Sequence, residues 1–491
     1  MQVSASLPAS SWMLSEMNPE QLLEEGERYR QCGEVFRALL CYEAALGRLP
    51  EREDVRRELE LPEAGQGDAT FAELSAIPGG PAGDGVFPRC LGRLALSKGD
   101  WEAATSFLQK AVDLQPGTAE TYYLLGRSLR ATGRGEAAIG ALRKAVLLAP
   151  RVALYQETLG NALREGGDVD GALEAYDQAL RSNPHLTEVR FHRAASLLCK
   201  GLWSEGWSAF EARRELSVWR EGLPEPSLPA WDGICRAGRV LRVQAEPGLE
   251  NTIQFYRFLS WLTERGCRPV LACQEPLHRL FAMQPEVGRE LSLCGFADPA
   301  EQAEAEVPLL SLPRFLGLTP ATLPRKPAYL SVDRALVTAW RQVLGPSSLL
   351  RVGLAWSSDP LRAPDPGKRD LLKRLKGVSF LALPGCGEEE TGSAADMPVP
   401  PGEVKDCADL AAVLLNLDLV IASDGPTAHL AGALGKPVWV MIPHVPDWRW
   451  MRQRSDTPWY PGMRLFRQTR SGEWENVMDE MTAHLRRLAQ V

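Results

Sequence analysis

Three glycines, Gly92, Gly126 and Gly160, lie 34 residues apart, and the same step separates three further sets. Ala104, Ala138 and Ala172 follow the glycines by twelve, Ala111, Ala145 and Ala179 by nineteen, and Pro116, Pro150 and Pro184 by twenty-four. A fixed period of this length requires each unit to be one supersecondary element stacked on the next. The small residues let two antiparallel helices approach closely, and Leu108, Leu142 and Tyr176 fill the larger slot between them. The proline stops the second helix. Weaker copies flank these units: Gly26, Ala38, Tyr42, Ala45 and Pro50 upstream, and Ala194, Gly206 and Phe210 downstream. Residues 61–86, rich in Gly, Ala and Pro, read as a loop beside a degenerate unit.

The rest of the chain has a different grammar. At 491 residues it is too long for one core, and several domains are expected. The prolines after residue 220 mark a boundary, with Trp203, Trp207 and Trp219 covering the join. Beyond it, short apolar runs alternate with helical stretches, as in a parallel sheet. Strands are expected at 239–243, 269–272, 291–293, 350–356, 378–383, 417–422 and 438–442, with an apolar stretch at 308–312. Helices are expected at 251–265, 276–283, 332–344, 410–415, 427–434 and 475–489. The domain reading is a flexible 1–17, a repeat array over 18–220, a first Rossmann-like lobe over 221–345 and a second over 346–491. The fold class is therefore α plus α/β: a repeat superhelix followed by two Rossmann-like lobes.

Two stretches stand out as sites. In the second lobe Ser423, Asp424, Gly425 and Pro426 turn a strand into a helix beginning at Thr427, Ala428 and His429. Free amides at a helix start attract anions, so a phosphate-bearing ligand is expected there. Ser357 follows an apolar strand nearby, and Arg362, Lys368 and Arg369 supply positive charge, which solvated surface explains equally well. In the first lobe the loop 244–255 offers Glu246, Glu250 and Asn251 at a strand end, where open sheets bind ligands. The tail 444–468 carries Trp448, Trp450, Trp459 and Tyr460 among arginines. These rings could stack on a base or simply pack.

A net charge of −8 disfavours a nucleic-acid binder. Ten scattered Cys without any CxxC read as reduced thiols of a cytoplasmic protein, with no zinc spacing. Neither a signal peptide nor an apolar run of membrane-spanning length is expected.

The repeat register is the tetratricopeptide pattern. Over about 18–490 the chain resembles bacterial tetratricopeptide proteins with a C-terminal glycosyltransferase domain, similar to the lipopolysaccharide heptosyltransferases and remotely to peptide O-GlcNAc transferase. The residues carrying the likeness are WDG at 231–233, GLENTIQF at 248–255, VGLAW at 352–356, the run 423–450 and TPWYP at 457–461. The resemblance implies a GT-B fold, a nucleotide-sugar donor on the second lobe, an acceptor on the first, and no metal or tightly bound cofactor. It places Thr427, Ala428 and His429 at the diphosphate, Asp424 at donor or acceptor hydroxyls, and Gly353, Trp356 and Ser357 beside the nucleotide, with Lys368 partly replacing a basic segment.

The departures matter as much. Where the family has GLGDTIQF, Glu250 replaces the glycine and Asn251 the aspartate that looks like the catalytic base. Asn251 cannot act as a carboxylate base, which leaves Glu250 or Glu246 to stand in. Gly425–Pro426 also stands where the family more usually has Ala-Val. Two readings follow. One is a metal-independent glycosyltransferase acting on a protein or peptide held by the repeats. The other is an inactive glycosyltransferase-like scaffold, assembly factor or chaperone. Either has a protein partner on the array and leaves room for a homo-oligomer.

Overall fold

The computed structural model describes residues 17–48, 85–385 and 397–489, apart from position 33, four positions between 297 and 301, and most of 358–374. Lys368, Arg362, Arg369 and Pro50, with nearly all of the 61–86 connector and the N-terminal segment, lie outside these residues. The chain divides into two compact units, Met1–Leu186 and Thr187–Val491.

The first unit is helical. Its described helices are α1 (Pro19–Gln31), α2 (Val35–Arg48), α3 (Val86–Ser97), α4 (Trp101–Leu114), α5 (Ala119–Ala131), α6 (Gly135–Leu148), α7 (Ala153–Glu165) and α8 (Val169–Ser182). They pack in the successive antiparallel pairs that the 34-residue step requires. The turns are written into the sequence. Gly99, Gly133 and Gly167 hold φ of +73°, +75° and +84°, a left-handed conformation that glycine adopts without a Cβ clash. Asp100 and Asp168 then cap α4 and α8 by accepting from Ala103 N at 3.0 Å and Gly171 N at 2.9 Å.

The periodic glycines mark the tightest helix contacts. A Cβ at Gly92, Gly126 or Gly160 would stand 2.5 Å from the side chain of Leu108, Leu142 or Tyr176. Gly126→Val is expected to destabilise the array by about 1–3 kcal/mol through overpacking. Urea denaturation followed by helical circular dichroism checks this, and an unchanged midpoint would refute it.

Polar groups also enter this core. Glu43 on α2 accepts from Arg89 Nε at 2.8 Å and Arg93 Nε at 2.5 Å, both on α3. Arg93 also donates to Glu120 on α5 at 2.6 Å, and Tyr155 on α7 donates to the same carboxylate. Four helices are thus tied by one buried charge network.

The second unit begins with two more helices, α9 (Thr187–Lys200) and α10 (Trp203–Phe210). An all-parallel sheet follows, built from β1 (Val240–Gln244), β2 (Arg268–Ala272), β3 (Ser292–Cys294) and β4 (Ala305–Pro308) in the order β3-β2-β1-β4. Its connections include α11 (Leu249–Phe255), α12 (Leu259–Glu264) and α13 (Glu275–Ala282). A second all-parallel sheet, ordered β6-β5-β7-β8-β9, contains β5 (Leu350–Ala355), β6 (Val378–Ala382), β7 (Leu419–Ser423), β8 (Val438–Ile442) and β9 (Met463–Arg467). Its helices include α15 (Cys407–Leu415), α16 (Pro426–Ala433) and α17 (Glu475–Ala489), while α14 (Arg334–Leu344) precedes it.

Three expectations need adjustment. The helix expected over 251–265 is interrupted by a 3-10 turn at Tyr256–Phe258. Residues 251–259 are all buried, and a single α-helical face cannot present nine consecutive side chains to a core of this kind. The apolar stretch 308–312 is the end of β4 and a 3-10 turn, Leu309–Ser311. Eight described cysteines are free thiols, but Cys407 is disulfide-bonded, which corrects the expectation of reduced thiols throughout.

A core of buried apolar side chains runs from α9 and α10 through the first sheet to α15 and α16. Trp203 stacks on Trp459 with centroids 5.0 Å apart, and Trp207 meets Trp448 edge-on at 5.2 Å. A second core on the other face of the second sheet is closed by Val477, Met478, Met481 and Leu485 of α17. The two-sheet region is therefore continuous with the helical pair α9–α10.

Candidate functional site

The residues singled out in the two lobes converge where α11 packs against α16. Each helix follows the C-terminal end of a parallel strand, β1 or β7, so the sheet geometry aims both helix starts at one place. Gly248 makes the first turn at φ +90°, and a Cβ there would meet the Glu250 carboxylate at 2.2 Å. Asn251 is buried two residues into α11. Opposite it, Thr427, Ala428 and His429 are fully buried in the first turn of α16.

Arg449, which the sequence offers only as one of the arginines of the aromatic tail, is the hub of this junction. Its guanidinium donates to the Asn251 side-chain oxygen, to Gln254 Oε1 at 2.6 Å and to Asp447 Oδ1 at 2.8 Å. Burial opposes its charge, but Asp447, Glu250 and Asp424 hold its pKa above the usual arginine value. Asn251 is fixed from its other end too, because its amide donates to the Pro247 carbonyl. Asn251 therefore supplies a neutral oxygen to a buried arginine. An ionised carboxylate there would form an ion pair with the same group.

Glu246 is equally committed. Its carboxylate takes Arg213 Nε at 2.8 Å and Nη2 at 3.1 Å, and the Leu310 amide at 3.0 Å. Arg213 is fully buried and also donates to Ser311 Oγ at 2.9 Å. Of the three first-lobe candidates, Glu246 thus joins the 3-10 turn after α10 to the first sheet, and Asn251 joins the two lobes. Glu250 sits within the electrostatic reach of Arg449.

His429 Nδ1 lies 2.8 Å from the Tyr460 hydroxyl, and Nε2 lies 3.9 Å from Asp424 Oδ1. Burial first, then the positive charges of Arg449 and Arg257, push its pKa well below the ordinary histidine value. The ring is neutral in the folded chain at neutral pH. Tyr460 is held well above the ordinary phenol value, chiefly by burial. The unfolded histidine takes up a proton near pH 6.5 while the folded one does not, so stability falls as pH drops below about 6.5. The expected slope is up to about 1.4 kcal/mol per pH unit, absent in His429→Gln. Denaturation midpoints of both forms between pH 5 and 7.5 check this, and parallel curves would refute it.

The remaining candidates line the ends of the second sheet. Ser357 N donates to Ser423 Oγ at 3.1 Å, fixing the β5 and β7 ends, and Trp356 is buried beside them. Gly353 lies within β5, where a Cβ would stand 2.5 Å from Leu417. Trp448 is 5% exposed and packed on Trp207 and Phe210, with the Arg449 guanidinium 4.3 Å above its ring. The aromatic tail is core. Arg257 crosses the junction as well, donating to the Trp459 carbonyl at 2.8 Å and packing over Tyr329 and Tyr460. Among the described residues no cluster of His, Cys, Asp or Glu could hold a metal, and no helix is long and apolar enough to cross a membrane.

Comparison with known proteins places the repeats. Tetratricopeptide repeat family models match residues 95–161 and 157–212. The chain is 28% identical over 342 residues to the protein FlbA of Caulobacter vibrioides, an alignment covering 62% of this chain and 56% of that one. The chain thus spans a little over half the length of the curated relative it matches. Among solved structures, MamA aligns at 24% identity over 39% of this chain and 92% of its own, with a TM-score of 0.27. A thermophilic tetratricopeptide protein of Thermus thermophilus aligns at 20% identity over 40% of this chain and 91% of its own, with a TM-score of 0.26. The chain carries tetratricopeptide repeats over residues 95–212, and an α/β region of two parallel sheets follows them. The expectation of sugar transfer to a protein acceptor is corrected here. The family models that match are repeats, over residues 95–212, and Asn251, where the resemblance set a base, is an uncharged side chain whose oxygen is taken by Arg449.

Proposed function

We propose that the chain is a protein-binding scaffold, of the assembly-factor or chaperone kind, whose repeats hold an extended segment of a partner protein. In this reading the two parallel sheets are the lobes of a GT-B-type fold retained as a platform without sugar transfer. The observation that carries it is the pair of tetratricopeptide matches over 95–212, since stacked repeats of this kind form a concave surface suited to extended chains. The commitment of Asn251, Gln254 and Arg449 to joining the lobes supports the second half of the reading.

Within the first unit the first helices of successive pairs carry a polar row at one register: Arg93, Arg127 and Asn161. Arg127 lies 5.6 Å over the Tyr123 ring, which stacks on Tyr155 at 4.8 Å. Arg93 is locked into its ion pairs and Asn161 accepts from Tyr176, so Arg127 is the row's adaptable member. A random peptide library displayed on phage and selected on the full chain tests the proposal. Selected peptides are expected to lose at least tenfold in affinity with Arg127→Glu and to be indifferent to His429→Gln. Failure to select any peptide, or peptides indifferent to Arg127→Glu but lost with His429→Gln, would overturn it.

A further inference from the structure

The first lobe holds two cysteines that the candidate site does not use, Cys235 before β1 and Cys267 before β2. Sheet pairing brings their segments together. β1 and β2 run parallel with Val240 opposite Arg268, and the contact extends to the strand starts. There Gly238 N donates to the Gly266 carbonyl at 2.9 Å and Arg268 N to the Arg239 carbonyl at 2.8 Å. A Cβ on Gly266 would stand 3.4 Å from Ala237 Cα. The segment ahead of β1 is folded into tight turns: Ile234 N donates to Asp232 Oδ1 at 3.1 Å, Trp231 Nε1 to the Ile234 carbonyl at 3.1 Å, and Arg239 N to the Arg236 carbonyl at 3.0 Å. These turns hold Cys235 against the core that contains Cys267.

Both are free thiols, and they are neighbours. Burial first, then a hydrogen bond with Cys267 and its charge, push the Cys235 thiol up to about 12, an effect that Arg265 partly offsets. Cys267 is 3% exposed, whereas Cys235 is half-buried beside the exposed Ile234 and Arg236. A small oxidant therefore reaches Cys235 from solvent and finds a second, shielded sulfur in contact with it.

We propose that Cys235 and Cys267 form a reversible disulfide that staples the segment entering β1 to the turn entering β2. The oxidant is a small disulfide such as oxidised glutathione. The Cys235 thiolate attacks one of its sulfurs and a glutathione thiolate leaves. Cys267, deprotonated, then attacks Cys235 Sγ and expels the second glutathione. Two protein thiols lose two electrons and two protons, and the small disulfide gains them as two thiols. The thiolate is the attacking form, so the high Cys235 value makes the first step slow at neutral pH and faster in mild alkali. The bond closes a loop of about 30 residues, and such a closure stabilises the fold chiefly by restricting the unfolded chain. The proposal is independent of what the repeats bind.

Incubation of the full chain with oxidised glutathione in mild alkali, followed by alkylation of the remaining thiols and peptide mapping without reductant, tests it. The wild type is expected to yield a peptide linking Cys235 to Cys267 that dithiothreitol separates. Cys267→Ser should instead retain glutathione on Cys235, because no second sulfur can expel it. The oxidised wild type should unfold at a higher urea concentration than the reduced form, a rise that Cys235→Ser lacks. Absence of the linked peptide from the wild type, glutathione persisting on Cys235 of the wild type, or a urea midpoint that oxidation raises equally in Cys235→Ser would each overturn the proposal.

Discussion

Arg213→Ala is expected to destabilise the α/β unit by about 3–5 kcal/mol, because it leaves the Glu246 carboxylate buried without its cation. Arg213 is fully buried and makes both of its bonds to Glu246 at ordinary length, 2.8 and 3.1 Å. Water cannot replace the lost donors at such a site. The loss should be larger than that from removing the pair together. Arg213→Met combined with Glu246→Leu replaces the ions by apolar volume and is expected to return most of the stability. Urea denaturation followed by tryptophan fluorescence reads both, since Phe210, which carries the Arg213 guanidinium at 4.9 Å, contacts Trp207 and Trp448. A single-variant loss below about 1 kcal/mol, the range of exposed ion pairs, would contradict the burial argument.

The second large effect belongs to the helical unit. Glu43→Ala strands the buried Arg89 guanidinium and leaves Arg93 with Glu120 as its one remaining carboxylate, and is expected to cost about 3–5 kcal/mol. The wild-type network also has a pH signature. Burial alone would raise the Glu43 pKa, but Arg89 and Arg93 together hold it below the ordinary carboxylate value. A carboxyl whose folded pKa is depressed contributes stability that is fully present above its unfolded pKa. That contribution is lost as pH falls through the folded value. Acid titration of helical circular dichroism should therefore show the wild type losing its advantage over Glu43→Ala below about pH 4.5. A constant difference between the two down to pH 2 would contradict this.

The repeats were legible because their geometry forces identity at fixed spacing. A glycine that must admit a leucine or tyrosine side chain at 2.5 Å recurs in the three units at Gly92, Gly126 and Gly160, and so do the alanines at fixed spacing. The parallel strands were legible as short apolar runs, since both faces of β7 and β8 are buried. The strand β9 was missed because Met463–Arg467 interleaves arginines with apolar residues at the sheet edge and lies within an aromatic run that reads as a loop.

The junction was half legible. Local grammar located both helix starts, and the GLENTIQF departure flagged Asn251. What the sequence could not convey was the partner. Arg449 reaches Gln254 and Asn251 from 195 and 198 residues away, and nothing in the spacing links them. The pairing of Glu246 with Arg213 was hidden in the same way, since Glu246 stood out as a loop carboxylate while Arg213 is an unremarkable charge 33 residues before it. Trp448 and Trp459 looked free to stack on a ligand because the sequence does not show Trp203 and Trp207 arriving from α10 to cover them.

The proposed reading is a repeat-bearing scaffold in which Asn251 and Gln254 are held by Arg449. The measurement that tests it most directly is calorimetric titration of the full chain with the sugar conjugates of UDP, GDP and ADP. The account predicts no binding tighter than about 1 mM, or roughly 4 kcal/mol, for any of them. A micromolar dissociation constant for one conjugate, abolished by His429→Ala in a chain that still folds, would contradict it.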